Sequence, residues 1–171
     1  EEEERLTIDA RAFSPVFIED DSSIAYLATY DGGQDIYKLD LRSNISKKLT
    51  DFKDRPMISH LNYNAGTQQI YFDITKHHHR DIYSYDLSNN TINEIESSDS
   101  FDERNMSTNL SGLGVYSKDQ SGIYNLYLTN VPDTTQGYIT NVTGGAFMPD
   151  ISENGKILYS IYDKGAYNIA L

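Results

Sequence analysis

His77-His78-His79-Arg80 is the densest run of potential metal ligands in this sequence. Imidazole nitrogens bind zinc or nickel, and a zinc site needs three or four donors arranged around one ion. Adjacent residues of a short loop cannot all turn toward one ion, and no carboxylate or further histidine stands at a completing spacing. The only other histidine is His60. His77 and His79 are therefore carried forward as the metal candidates, with no ligand set around them. The acidic groups Asp31 and Asp35, Asp99 and Asp102, and Asp150 and Glu153 do not follow the Asp-x-Asp-x-Asp-Gly spacing with its closing glutamate that calcium requires. No Gly-x-Ser-x-Gly elbow and no glycine-rich phosphate loop with a lysine occurs. The chain has no cysteine, which removes disulfides and thiolate chemistry. No catalytic residue and no cofactor site is assigned. The expectation is a chain that is not an enzyme, any catalytic domain lying outside it.

The elements that would hold these residues repeat. Ile24-Ala25-Tyr26-Leu27, Ile70-Tyr71-Phe72-Asp73, Leu113-Gly114-Val115-Tyr116 and Ile157-Leu158-Tyr159-Ser160 begin 46, 43 and 44 residues apart. About eleven residues after each comes a second run: Asp35-Ile36-Tyr37, Asp81-Ile82-Tyr83, Asn125-Leu126-Tyr127 and Asn168-Ile169-Ala170, at offsets of 46, 44 and 43. Two independent anchors keep one period, and about 40–45 residues is the length of a four-stranded propeller blade. Asp35 to Leu41 alternate apolar and polar in the period of a strand, and Asp31-Gly32 is a hairpin signal before them. Opening strands are read at Pro15 to Ile18, Pro56 to Ser59, Met106 to Thr108 and Pro149 to Ser152, and no stretch carries sustained helical spacing. The fold class is all-β, a β-propeller of four-stranded antiparallel blades with four repeats present, part of a larger propeller. The whole chain, 1–171, is one such unit or a piece of one. Its repeats run over 14–54, 55–102, 103–145 and an incomplete 146–171, after a partial 1–13 that is the last strand of a blade. Recurring Asp35 and Asp81 at a strand start point to a repeated structural hydrogen bond. The tyrosines at repeat spacing point to packing between blades.

Glu4-Arg5-Leu6-Thr7 resembles Lys47-Lys48-Leu49-Thr50, the fourth strand of the first repeat. Two readings stay open: four blades close on themselves with Glu4 to Thr7 supplying the missing strand, or the chain is a stretch of a longer ring. The formal charge is −12, a field that repels phosphate, so nucleic acid and anionic membrane surfaces are excluded as partners. No apolar run approaches the ~18 residues of a membrane helix, so no membrane insertion is expected.

The order Pro-x-Ile-Ser, a Gly/Asn turn, Lys-Ile-Leu-Tyr-Ser, a Gly turn, Asn/Asp-Ile-Tyr and Leu-Thr resembles the TolB-like repeats, also called WD40-like or PD40. Gly144 to Lys156 is the nearest stretch, with Glu153-Asn154 where the family has Pro-Asp, and Asp35-Ile36-Tyr37 and Asp81-Ile82-Tyr83 match the third-strand motif. The first-to-second-strand turns of repeats one and two depart from the family's Ser-Pro-Asp-Gly, and repeat three lacks the proline and aromatic of its opening strand. The resemblance implies a periplasmic, cell-envelope or secreted bacterial setting. It also implies a scaffold that binds a protein or peptide through the propeller face, with further domains possible in the same polypeptide. Its alternative is an accessory or gating propeller of a larger peptidase or hydrolase. A third reading is a metal-dependent propeller lyase, in which His77 and His79 would take part.

Overall fold

A computed structural model describes residues 3–130 and 136–171. Its strands are β1 (Arg11–Ile18), β2 (Ser23–Tyr30), β3 (Gly33–Asp40), β4 (Ile45–Lys48), β5 (Met57–Asn64), β6 (Gln69–Lys76), β7 (His79–Asp86), β8 (Thr91–Glu96), β9 (Glu103–Thr108), β10 (Leu113–Lys118), β11 (Asn125–Asn130), β12 (Gly137–Tyr138), β13 (Ala146–Ile151), β14 (Ile157–Asp163) and β15 (Ala166–Ala170). They form four antiparallel meanders: β1 to β4, β5 to β8, β9 to β12, and the three-stranded β13 to β15. The first strands pack side by side, β1 on β5, β5 on β9 and β9 on β13. That is the blade arrangement expected from the period. No helix is long and apolar enough to cross a membrane among the described residues.

The turns explain themselves chemically. Asp31-Gly32 joins β2 to β3 with φ of 50° and 78°, and His77-His78 joins β6 to β7 with 47° and 74°. Two-residue hairpin loops with both φ positive match the twist of the flanking strands, and His tolerates that region better than a branched residue. The histidine run is thus, first, a turn.

Each innermost strand carries a β-bulge. Pairing slips between Phe13 and Val16, Ser59 and Leu61, opposite Arg104–Ser107, and between Phe147 and Asp150. Ser14, His60, Asn105 and Met148 stand there with φ between 50° and 59°. Two opening strands start earlier than their prolines indicate, β1 at Arg11 and β13 at Ala146, while β5 starts at Met57, just after Pro56. Pro15 and Pro149 sit in the bulges, where no ladder N–H is needed.

The core lies between sheets. Ile36 joins Ile58, Leu61 and Phe72 between sheets one and two; Tyr71 and Ile82 join Met106 and Tyr116 between two and three; Leu126 joins Ala146 and Ile151 between three and four. Beyond sheet four the same positions are bare: Ile169 is 72% exposed and Leu158 45%, whereas Ile36, Ile82 and Leu126 are fully buried. Glu4 to Thr7 form no strand and no ladder with sheet four. Leu6 packs instead on Tyr26 and Leu39 of sheet one, as Leu49 packs on the cluster of sheet two.

Candidate binding face

Antiparallel meanders bring the β2–β3, β6–β7 and β14–β15 hairpins and the linkers between sheets to one end of the assembly. The recurrent acidic residues at that end are spent on structure. Asp35 Oδ1 accepts from Thr50 Oγ1 (2.9 Å) and from the Phe52 N–H (3.0 Å), while Thr50 Oγ1 accepts from the Ile36 N–H (2.9 Å). Asn125 does the same in sheet three: its Oδ1 accepts from Thr140 Oγ1 (3.0 Å) and the Val142 N–H (2.9 Å), and the Leu126 N–H donates to Thr140 Oγ1 (2.8 Å). Asp81 keeps one such bond, from the Ser98 N–H (3.1 Å). In sheets one, two and three this bond, a clasp, ties the third strand to the linker that leads into the next sheet. From the sequence a repeated structural hydrogen bond is expected at Asp35 and Asp81, without its partner.

His77 and His79 line a shallow cavity of about 190 Å³ together with Asp81, Glu94 and Asp99. Among the described residues, no three His, Cys, Asp or Glu side chains converge as a metal set. His60 stands apart, at the bulge of β5, where its Nε2–H donates to the Met106 carbonyl (3.1 Å); burial pushes its pKa below the ordinary value, against that bond. Asp31, Asp99 and Asp102 are not gathered, and Glu153 accepts from the Leu110 N–H (3.0 Å) at the other end of the sheets.

A larger cleft, about 450 Å³, spans sheets two, three and four on the hairpin face. Arg80 enters it from the start of β7, Arg104 from β9, Phe147 and Met148 from the bulge of β13, and Tyr167 from β15. The Arg104 guanidinium carbon lies 3.9 Å from the centre of the Tyr124 ring and 5.3 Å from that of Phe147. Tyr124 is held in turn: its OH donates to Asp102 Oδ2 (2.8 Å), and burial with that hydrogen bond pushes its pKa up to about 12. Asp102 Oδ1 also accepts from the Arg80 N–H (3.1 Å). Behind the cleft lies Asp73, fully buried, both oxygens accepting from the Asn105 N–H (3.1 and 3.2 Å). Loss of hydration raises its pKa to about 7, opposed by the Asn105 bond and by the charges of Arg80 and Arg104. Gly144-Gly145 make the wall possible. A Cβ on Gly144 would strike the Tyr162 carbonyl, and one on Gly145, whose φ is 129°, would strike the Phe147 ring.

No protein-family model and no curated protein sequence matches the chain. Solved structures do. TolB from Acinetobacter baumannii superposes with a TM-score of 0.76 at 20% identity, over 94% of this chain and 40% of that one. The chain has the TolB-like propeller fold. A puromycin-hydrolyzing peptidase of Mycobacterium tuberculosis matches with a TM-score of 0.71 at 7% identity, over 97% of this chain and 29% of that one. An oligogalacturonate lyase in complex with manganese matches with 0.63 at 15% identity, over 91% and 46%. The chain thus spans about two-fifths of the TolB structure and less than a third of the peptidase.

Recurrence at one strand position accounts for the clasps but not for the cleft. Sequence reading took Arg80 only as the end of the histidine run and passed over Arg104 and Asp73. One signal was available: Asp73 puts a carboxylate in an apolar run, at the ladder position where the other repeats have Leu27, Ser117 and Ser160.

Proposed function

We propose that this chain is a stretch of a larger TolB-like propeller that acts as a non-enzymatic platform for a protein or peptide in an exported or envelope-associated bacterial protein. The partner sits on the hairpin-and-linker face. The observation that carries this reading is the cleft there: a pair of half-buried guanidiniums against an aromatic wall, built from three successive sheets. Rigid strands present it and turns surround it, the usual division of labour between scaffold and binding surface. The bare far side of sheet four, with Ile169 and Leu158 in positions that the other sheets bury, supports a ring with a further blade. The acidic surface argues against nucleic acid as the partner.

The test is site-specific photocrosslinking in the source cell with the full-length protein. A crosslinker at His78 or Met148 is expected to trap a defined partner, and one at Ile45, on an outermost strand, is not. Equal labelling from all three positions would overturn the reading. A second reading is a gating propeller in a larger peptidase. The likeness to the puromycin-hydrolyzing peptidase favours it, and a Gly-x-Ser-x-Gly segment in the same reading frame would establish it.

A further inference from the structure

We propose that the Arg80–Arg104 cleft recognises a carboxylate group of a peptide, with the flanking side chain laid on Phe147, Met148 and Tyr167. This rests on the reading of the hairpin face as a peptide-binding surface. Three observations lead to it.

First, the two guanidiniums have work left to do. Among the described residues, neither Arg80 nor Arg104 has a carboxylate oxygen within ion-pair distance. The Nε atoms of both are buried without a hydrogen-bond partner. Buried donors in folded proteins are nearly always paired, so an unpaired N–H on each of two arginines that line one cleft leaves donor capacity that the protein itself does not use.

Second, the nearby carboxylates are engaged elsewhere. Asp73 accepts from the Asn105 backbone N–H, and Asp102 from the Arg80 backbone N–H and the Tyr124 hydroxyl. Asp73 lies close enough for the charges of Arg80 and Arg104 to act on it, but among the described residues neither carboxylate comes within ion-pair distance of a guanidinium.

Third, stacking orients the cation. With the face of the Arg104 guanidinium on Tyr124, its edge, which carries the N–H donors, is left for an in-plane ligand. A carboxylate accepts two parallel N–H bonds from such an edge, a geometry that a lysine ammonium cannot reproduce. The wall beside it is apolar and open: Met148 and Tyr167 are each 69% exposed. A carboxylate with an aromatic or aliphatic neighbour satisfies both halves of the cleft, and a terminal residue of a peptide carries both.

The experiment is a titration of the full-length protein with N-acetylphenylalanine, read by NMR at the arginine Nε–H signals, beside N-acetylphenylalanine amide. The carboxylate is expected to shift the Arg80 and Arg104 signals saturably, and the amide is not. Arg104→Gln and Arg80→Gln should each weaken binding roughly tenfold or more, as loss of a charge-assisted bond does. Arg104→Lys, which keeps the charge and loses the fork, should weaken it too and guards against a folding artefact. Arg42→Gln, on an exposed turn at the opposite end, should leave it unchanged.

N-acetylaspartate α-amide, whose single carboxylate is the side chain, separates the sources: binding equal to that of N-acetylphenylalanine assigns an acidic side chain, weaker binding a peptide C-terminus, both within the proposal. Equal binding of acid and amide overturns it, as does binding of inorganic phosphate undiminished by Arg104→Lys. Should crosslinking map a partner to the face while the acid and amide bind alike, this inference fails and the platform reading stands. Should N-acetylphenylalanine bind while no partner crosslinks, the platform reading fails instead.

Discussion

Sheets two and four are built from the same pattern and live in different surroundings. In sheet two, Tyr71 and Ile82 are buried against Met106 and Tyr116 of the following sheet. In sheet four, Leu158 and Ile169 hold the same repeat positions and stand in water. The strands form alike in both, with the same pairing and the same bulge. Pattern therefore decides that a blade forms. Burial, and with it most of the stabilisation, is conferred by the neighbour.

That contrast can be broken in order of size. Ile82→Ala should lower unfolding free energy by about 2–5 kcal/mol, the range for emptying a packed aliphatic site. Ile169→Ala in the 171-residue chain should stay within about 0.5 kcal/mol, as exposed substitutions do. Repeating Ile169→Ala in the full-length protein sharpens the comparison. A loss approaching that of Ile82→Ala is expected if a further blade covers sheet four, and an unchanged small loss would sink the larger ring. Denaturant midpoints measure all three.

Asp73 supplies the next effect. Its pKa rises from 3.8 in the unfolded chain to about 7, chiefly through burial. Below the lower value both states hold the proton. Between the two values the native state keeps a proton that the unfolded chain has lost, so stability falls as pH rises through this window, and the penalty is complete above about pH 7. Asp73→Asn should flatten that part of the pH–stability curve, while Asp86→Asn, at a half-buried carboxylate on the neighbouring strand, should not.

A smaller effect comes from the clasp. Asp35→Ala should cost about 1–3 kcal/mol, because the Thr50 hydroxyl and the Phe52 N–H lose their acceptor. Asp35→Asn should cost less, since Asn125 already makes the same bonds in sheet three. Equal losses for both would mean that the charge, through Lys48 at 2.9 Å, matters more than the acceptor.

The smallest change is expected at the histidines. His77→Ala with His79→Ala should move stability by at most about 0.5 kcal/mol and leave the unfolding temperature insensitive to added zinc. A zinc-dependent rise abolished by the pair of substitutions would restore a metal site.

The repeat was legible because alternation and turn chemistry are local: Asp31-Gly32 and the Tyr-rich runs announce hairpins and half-buried strands without knowledge of what lies beside them. The clasp was legible in part, because Asp35 and Asp81 recur at one strand position. The bulge was not, since Ser14, His60, Asn105 and Met148 share no side-chain property and the slip is set by the backbone. The cleft was invisible for a related reason. Arg80, Arg104, Phe147 and Tyr167 belong to three repeats, and only the lateral packing of sheets brings them together. The lone Asp73 was the one local trace of it.

The bulges have a consequence for how such a molecule can change. Because each innermost strand makes its kink with whatever residue is present, the four positions act like interchangeable keys on a fixed keyboard. Serine, histidine, asparagine and methionine already occupy the bulge in the first strands of four successive sheets. A lineage can re-letter one key, acquiring a proton donor or an apolar tip, without retuning the strands on either side. Novelty in this fold can therefore accumulate one stave at a time, while the frame stays silent.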